Sequence, residues 1–189
     1  ADALKGRQLA AVYEDNISIV EGADRFAILN YEKAAALNPQ SPAEYLNAAR
    51  AYVRSADALQ RKITQLPEEG EEREKLEATR VENLSEAIVN LKKSIALKGD
   101  YAPAHFLSSQ VYERQGDREL AIQKTLETRN LNPLDTGVGY QLGLLYYLDD
   151  QIENARDEFV RVVSLREGFS NARYFLGLSY DRLGNTQGA

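Results

Sequence analysis

Few residues of the sequence have the type and spacing that catalysis requires. His105 is the single histidine, and the lack of cysteine excludes disulfides, thiolate metal sites and a cysteine nucleophile. The acidic pairs Glu68-Glu69 and Asp149-Asp150 fall at predicted turns, where acidic side chains commonly form local hydrogen bonds. A carboxyl group used in acid catalysis usually needs a buried position, which these pairs do not suggest. We therefore expect no enzymatic activity, no cofactor and no metal site, and we expect His105 to serve packing.

Aromatic side chains recur at a fixed spacing that suits binding better than catalysis. Phe106, Tyr140 and Tyr174 follow one another at equal intervals (140 − 106 = 34 and 174 − 140 = 34). Exposed aromatic side chains favour protein contact because they add large contact area at a small entropic cost. The same residues could instead pack between structural units, so both interpretations stay open.

A repeated pattern that ends in tyrosine shows which elements must position these residues. The tyrosines are Tyr13, Tyr52, Tyr112, Tyr146 and Tyr180, and the steps between them are 39, 60, 34 and again 34. Alanines follow nine positions later at Ala121, Ala155 and Ala189. Self-similarity at a fixed period is typical of a solenoid of identical supersecondary units. Abundant Leu, Ala, Glu and Lys, with proline confined to turns, predict an all-α chain.

One copy of the pattern resembles the tetratricopeptide repeat (TPR), a helix-turn-helix unit. The resemblance rests on Tyr112, Gly116-Asp117, Ala121-Ile122 and Asn132-Pro133, and further copies extend it along nearly the whole chain. It implies a right-handed superhelical solenoid, with units at about 1–41, 42–101, 102–135, 136–169 and 170–189.

Small residues and glycines within the copies have a physical role. We expect Ser109, Gly143 and Gly177 to let the first helix of a unit approach its partner closely. Gly116 and Gly184 allow the left-handed turn that ends the first helix. In the fourth unit Asp150 replaces this turn glycine.

The second unit is longer than the period (60 − 34 = 26), and the surplus lies between its two helices. Apolar residues continue at alternating spacings of three and four on both arms, which predicts two antiparallel helices packed knobs into holes. These residues are Ala49, Tyr52, Ala56, Leu59, Ile63 and Leu66 on one arm, and Val81, Leu84, Ile88, Leu91 and Ile95 on the other. We predict a helical hairpin over residues 59–82 that projects by about 20 Å.

The tip of this predicted hairpin is strongly acidic and carries Glu68, Glu69, Glu71 and Glu72. One interpretation is a solvated loop whose charge keeps the hairpin soluble. The other is a docking arm that meets a basic surface or a cation. The ligand spacing and central glycine of a helix-loop-helix calcium motif are missing, so we assign no calcium site.

The TPR resemblance also implies where a partner would bind. First helices of such units line a concave groove that holds extended peptides or helices. The inward positions of this chain would be Leu46, Arg50, Arg54, Phe106, Gln110, Tyr140, Leu144, Tyr147, Tyr174 and Leu178. TPR domains that bind chaperone C-terminal carboxylates use Lys, Asn and Arg at matching sites. Here those sites hold Leu46, Phe106, Tyr140 and Tyr174, so a carboxylate clamp is not expected.

Charge and hydropathy exclude two classes of partner. The net charge is −6 and no stripe of Lys and Arg is present, which argues against nucleic acid. The most apolar run, Leu142 to Leu148, is much shorter than the roughly 18 residues of a membrane span.

A softer resemblance suggests a location outside the cytoplasm. Residues 20–27, with Tyr31, Lys33-Ala34 and 37–39, resemble TPR tails of bacterial O-antigen-ligase-like membrane proteins, which lie outside the cytoplasm. The missing cysteines fit this location. Two glycosylation-type triplets begin at Asn16 and Asn83 and weakly support an exported chain.

Taken together, the sequence predicts a non-enzymatic scaffold that binds a protein through an aromatic-lined concave groove. The alternative is a structural subunit that assembles head to tail into an extracellular filament or surface assembly. Carbohydrate or cell-wall contact through the tyrosines is a third possibility. Because the fifth unit stops at Ala189, we expect either further sequence or a docked partner chain to cover its apolar face around Phe175, Leu178 and Leu183.

Overall fold

The computed structural model describes residues 25–184, and this part of the chain is helical without strands. Its helices are α1 (residues 25–37), α2 (Pro42–Ile63), α3 (Glu71–Leu97), α4 (Ala102–Gln115), α5 (Arg118–Leu131), α6 (Thr136–Leu148), α7 (Ile152–Leu165) and α8 (Ser170–Arg182). The chain divides into two compact units, Ala1–Lys98 and Gly99–Ala189. The all-α prediction is confirmed, and among the described residues no helix is long and apolar enough to cross a membrane.

The first unit is built around a long helical hairpin. Helices α2 and α3 have 22 and 27 residues, whereas α4 to α8 have 13 or 14. They run antiparallel, because side chains near opposite ends are joined. Ser94 Oγ donates to the carbonyl of Pro42, Asn83 Nδ2 donates to Ser55 Oγ, and Arg73 Nη1 donates to the carbonyl of Ile63. A turn between Ile63 and Glu71 connects the two helices. That residues 59–82 form an insertion that projects from the array remains a prediction.

Most of the predicted seam of this hairpin is buried. Ala49, Ala56, Ile63, Leu84, Ile88 and Leu91 are at most 9% exposed. The prediction for Val81 is wrong: its spacing placed it in the seam, but its side chain is 56% exposed. The boundaries of the five units remain a prediction from the repeat.

The second unit contains two helix pairs, α4 with α5 and α6 with α7, followed by α8. The predicted left-handed turns are present, with φ of 80° at Gly116 and 72° at Gly184. Asp150, which replaces the turn glycine in the fourth unit, adopts the same conformation with φ of 62°. Aspartate tolerates this region better than most residues, since its short side chain can hydrogen-bond locally.

The core of the second unit follows the repeat. Ala121 and Ala155 are fully buried, and Tyr112 packs on the cluster that contains Ala121, Leu142 and Leu145. Tyr146 contacts this cluster and also the next one, around Phe159. Tyrosines of successive repeats therefore fill the space between neighbouring helix pairs, as predicted.

Candidate functional site

The predicted groove residues lie on α2, α4, α6 and α8, and they differ in accessibility. In the first unit Arg50 and Arg54 are exposed. Leu46 is only 2% exposed, so its inclusion among partner-contacting positions is corrected. Leu46 shares one apolar stripe of α2 with Ala49, Val53 and Ala56, which are spaced three and four residues apart and are all buried, so this face of α2 lies in the core.

In the second unit three of the predicted tyrosines converge on one ring. The ring centroid of Phe175 lies 6.2 Å from Tyr140, 5.6 Å from Tyr147 and 5.4 Å from Tyr174. The three contacts are edge-to-face, a favourable geometry for aromatic pairs. The groove assignment omitted Phe175, which the sequence placed only on an apolar face left open in the last unit.

Tyr140 belongs to both the surface and the interior. Its ring lies 5.0 Å from Phe169 and 6.0 Å from the buried ring of Phe159. Burial raises the pKa of its hydroxyl above the ordinary value of 10.0. Tyr174, in contrast, is 65% exposed. We name Tyr140, Tyr147, Phe169, Tyr174 and Phe175 the aromatic cluster. Its members lie at different depths, since Tyr140 packs against other rings whereas Tyr174 is largely exposed.

Two arginines border the aromatic cluster. The guanidinium of Arg182 lies 5.2 Å from the ring centre of Tyr147 and also pairs with Asp150. In the turn between α7 and α8, the guanidinium of Arg166 lies 5.3 Å from the ring centre of Phe169. These contacts are cation–π interactions. They hold the two guanidinium groups against the rings at the border of the cluster, so this border is positively charged.

The remaining groove positions are less tightly connected. Leu144 packs against the buried core near Phe159, and Leu178, Phe106 and Gln110 are partly exposed. Within residues 25–184, no ring contact joins Phe106 to the aromatic cluster. The structure therefore brings together the α6 and α8 residues and leaves Phe106 apart.

The acidic tip is fully on the surface. Glu68, Glu69, Glu71 and Glu72 are all exposed. Arg73 closes the turn, since its Nη1 donates to the carbonyls of Ile63 and Pro67, and its Nε pairs with Glu77 at 2.9 Å. No group of three or more metal-ligating side chains occurs among the described residues.

His105 is buried, as its predicted packing role requires. Its Nε2 lies 2.8 Å from the carbonyl oxygen of Gly99, to which it is hydrogen-bonded. Its Nδ1 lies 2.8 Å from Glu127 Oε2 without forming a hydrogen bond. Lys124 Nζ also donates to Glu127 Oε2 at 2.8 Å. Burial alone would raise the pKa of Glu127, but Lys124 and His105 outweigh it and lower this pKa.

The two glycosylation-type asparagines differ in what the structure describes. Asn16 lies outside the described residues. The amide of Asn83 donates to Ser55 Oγ at 3.0 Å inside the α2–α3 hairpin, and its side chain is only partly accessible. Sugar attachment at Asn83 would therefore break a contact between these helices.

Comparison with known proteins gives matches of structure only. No family model matches the chain, and no curated protein matches it either. A crystal structure of MamA is similar with a TM-score of 0.67 and 20% identity, covering 90% of this chain and 84% of that one. A thermophilic TPR protein of Thermus thermophilus, TTC0263, has a TM-score of 0.59 and 21% identity, with coverage of 84% and 73%.

A third similar structure is that of YrrB. YrrB, described as a TPR protein with an unusual peptide-binding site, has a TM-score of 0.50 and 19% identity, covering 82% of this chain and 84% of that chain. Since the repeats predicted from the sequence match solved TPR proteins over most of their length, the chain has the tetratricopeptide-repeat fold.

Proposed function

We propose that the chain is a non-enzymatic scaffold that binds a segment of a partner protein on the aromatic cluster. The observation that carries this proposal is the arrangement of Tyr174, which is 65% exposed while its ring rests on Phe175. A large ring that is both accessible and supported loses little conformational freedom when a partner covers it. Such side chains are typical anchors of protein interfaces.

The surroundings of the cluster favour a protein segment as the ligand. Tyr147 and Leu178 extend the apolar surface along α6 and α8, and Arg182 supplies charge at its border. An apolar centre with a charged rim is the usual composition of a protein interface. The peptide-binding site named for YrrB, which shares the fold, is consistent with this assignment.

The same proposal includes two exposed surfaces of the first unit, the arginines of α2 and the acidic tip. Arg50 and Arg54 are exposed positions on α2, and the acidic tip is exposed at the turn of the hairpin. A docking role for the tip requires a basic partner surface or a cation. An extracytoplasmic location, with the O-antigen-ligase-like origin, remains the prediction from residues 20–39.

The proposal is tested by identifying a partner and then measuring affinity with purified components. The partner is captured from the native source, identified by mass spectrometry, and titrated calorimetrically against the wild type and variants. Tyr174→Ala should weaken binding by at least about fivefold, since truncating an interface anchor typically costs more than about 1 kcal/mol. Leu134→Ala is the control, because Leu134 is 73% exposed but lies outside the aromatic cluster.

Unchanged affinity of Tyr174→Ala, with helicity intact by circular dichroism, would show that the aromatic cluster is not the binding surface. Light scattering on the same samples tests the structural-subunit alternative. A mass that grows with concentration, and fibres in electron micrographs, would favour head-to-tail assembly instead.

A further inference from the structure

The α2–α3 hairpin presents one accessible face of each helix, and the two faces lie on opposite sides of the hairpin. The helices are joined through Ser94 with Pro42 and through Asn83 with Ser55. Residues that lie away from these contacts follow one another at steps of three and four, as on one face of a helix. The exposed or partly exposed residues that form the α2 outer face are Ala43, Asn47, Arg50, Arg54, Asp57 and Arg61, and those of the α3 outer face are Glu71, Lys75, Ala78, Glu82, Ser85 and Val89.

The charges of the two outer faces are complementary when the helices run antiparallel. The α2 outer face presents a cation, an anion and a cation at steps of seven and four residues. The α3 outer face presents an anion, a cation and an anion at the same steps in the reverse direction. The three matched pairs are Arg50 with Glu82, Asp57 with Lys75, and Arg61 with Glu71. An α3 that lies antiparallel on the α2 of another copy can therefore form all three attractive pairs at once.

The charges also select one register for this contact. Because the outer positions of both helices are spaced alike, α3 could slide along α2 by one helical turn without a change of steric fit. Sliding in one direction would place Lys75 opposite Arg61, and sliding in the other would place it opposite Arg54. Such like-charge contacts penalise the wrong registers. In the matched register Arg54 lies opposite Ala78, a small residue that leaves space for its long side chain.

We propose that the α2 outer face of one copy binds the α3 outer face of a second copy in this antiparallel register. The occupant is a second copy because the chain carries both complementary faces, which cannot meet within one hairpin. The bound copy keeps its own α2 outer face open, so hairpins stack side by side in an open-ended series. The inference rests on the docking role proposed for the acidic tip, to which Glu71 belongs, and it does not depend on the aromatic cluster.

Stacking of this kind would change how the chain binds a partner. The contact uses the first unit only, whereas the aromatic cluster belongs to the second unit. Copies joined through their hairpins carry one aromatic cluster each, so they would bind a repetitive partner with increased avidity. The three ion pairs are solvent-accessible, and salt therefore screens them. The association is weak and sensitive to salt.

The first test measures the mean mass of the purified chain by light scattering over a concentration series. At low salt the mass should rise with concentration, and added sodium chloride should lower it. Arg61→Glu should weaken the association by at least about fivefold, because repulsion from Glu71 replaces attraction. Arg173→Glu is the matched control, since it makes the same change of charge at an exposed position of the second unit.

Charge exchange between two double variants makes the pairing specific. One variant combines Arg50→Glu with Arg61→Glu, and the other combines Glu71→Arg with Glu82→Arg. Each variant alone should stay monomeric, because its two outer faces then carry like charges. An equimolar mixture should associate again, since every α2 outer face finds an α3 outer face of opposite charge.

Disulfide formation tests the register directly, because the chain contains no cysteine of its own. The variant with Arg54→Cys and Ala78→Cys should form disulfide-linked oligomers on mild oxidation with diamide, since these positions lie opposite each other between copies. The control combines Arg54→Cys with Ser85→Cys, which moves one thiol by seven residues, or about 10 Å along the helix. The control should crosslink far less.

A wild type that stays monomeric at low salt, or an association that Arg61→Glu leaves unchanged, would overturn the proposal. So would a mixture of the two double variants that remains monomeric, or equal crosslinking in the control. Tyr174→Ala should leave the stacking unchanged, which separates this contact from partner binding on the aromatic cluster. Because stacking also raises the mass, light scattering for the structural-subunit alternative is read on the variant with Arg50→Glu and Arg61→Glu.

Discussion

Gly143 lies directly against the ring of Phe159, which is fully buried between α6 and α7. A methyl group at position 143 would sit 2.6 Å from Phe159 Cε1 and 2.9 Å from Cδ1. The close approach of the two helices therefore depends on glycine at this one position. It also explains why a residue with poor helix propensity stands in the middle of α6.

The first prediction compares the same substitution in two repeats. Gly143→Ala should destabilise the protein, because the clash with a packed ring costs about 1–3 kcal/mol. The gain in helix propensity of about 1 kcal/mol offsets only part of this cost. Gly177→Ala should stabilise by about 1 kcal/mol, since its Cβ meets nothing within 4 Å. Urea unfolding measures both variants, and equal effects would show that Phe159 moves aside freely.

These two glycines also show how far the sequence determines the structure. The repeat period placed Gly143 and Gly177 at equivalent points and predicted the helices around both. It could not show that only Gly143 has a neighbour, because that depends on a second helix rather than on the repeat. For the same reason, the expectation that Gly177 allows a close helix approach came from periodicity alone. Among the described residues no helix approaches Gly177 closely.

Some residues of the candidate site were predicted from the sequence, and the others were missed for physical reasons. Tyr140, Tyr147 and Tyr174 were found from their repeat positions. Phe175 was not assigned to the groove. It follows Tyr174 directly, and neighbouring residues on a helix point about 100° apart, so the repeat placed Phe175 on a different face that was expected only to pack. The burial of Leu46 was missed because the TPR resemblance assigns groove positions by their place in the repeat and does not show how deeply each side chain is buried.

The second prediction concerns Asp150, whose φ is 62° and whose carboxylate pairs with Arg182. Asp150→Ala should cost about 1–2 kcal/mol, because a Cβ without a local hydrogen-bonding group is strained in the left-handed region. Asp150→Gly should be near neutral, since relief of strain offsets the loss of an exposed ion pair worth about 0–1 kcal/mol. Thermal unfolding distinguishes the two, and Asp150→Gly as damaging as Asp150→Ala would mean that the ion pair dominates.

The third prediction uses two adjacent acidic residues of α7 as a matched pair. Glu158 is 6% exposed and its Oε1 lies 2.8 Å from Arg161 Nη2 and 3.3 Å from Arg129 Nε. Glu158→Ala should destabilise by about 3–5 kcal/mol, because it leaves two partly buried guanidinium groups without their carboxylate.

Asp157→Ala is the control for Glu158→Ala. Its carboxylate pairs with Arg156 at 2.6 Å, but the Asp157 side chain is 67% exposed. Solvent screens such a pair, so its loss should change stability by about 1 kcal/mol at most. Similar unfolding free energies for the two variants would show that the buried carboxylate adds nothing beyond a surface ion pair.

The fourth prediction follows from Glu127, whose pKa lies below its ordinary value of 4.5 although burial alone would raise it. A carboxyl group with a lowered pKa in the folded state binds its proton more weakly there than in the unfolded chain. Its contribution to stability is therefore complete above about pH 5, and it is lost as the pH falls through the folded-state pKa. Glu127→Gln should flatten this acid limb in urea titrations from pH 6 to pH 3, because the amide binds no proton in this range. An acid limb of unaltered slope in Glu127→Gln would mean that Lys124 and His105 do not favour the ionised carboxylate over the protonated one.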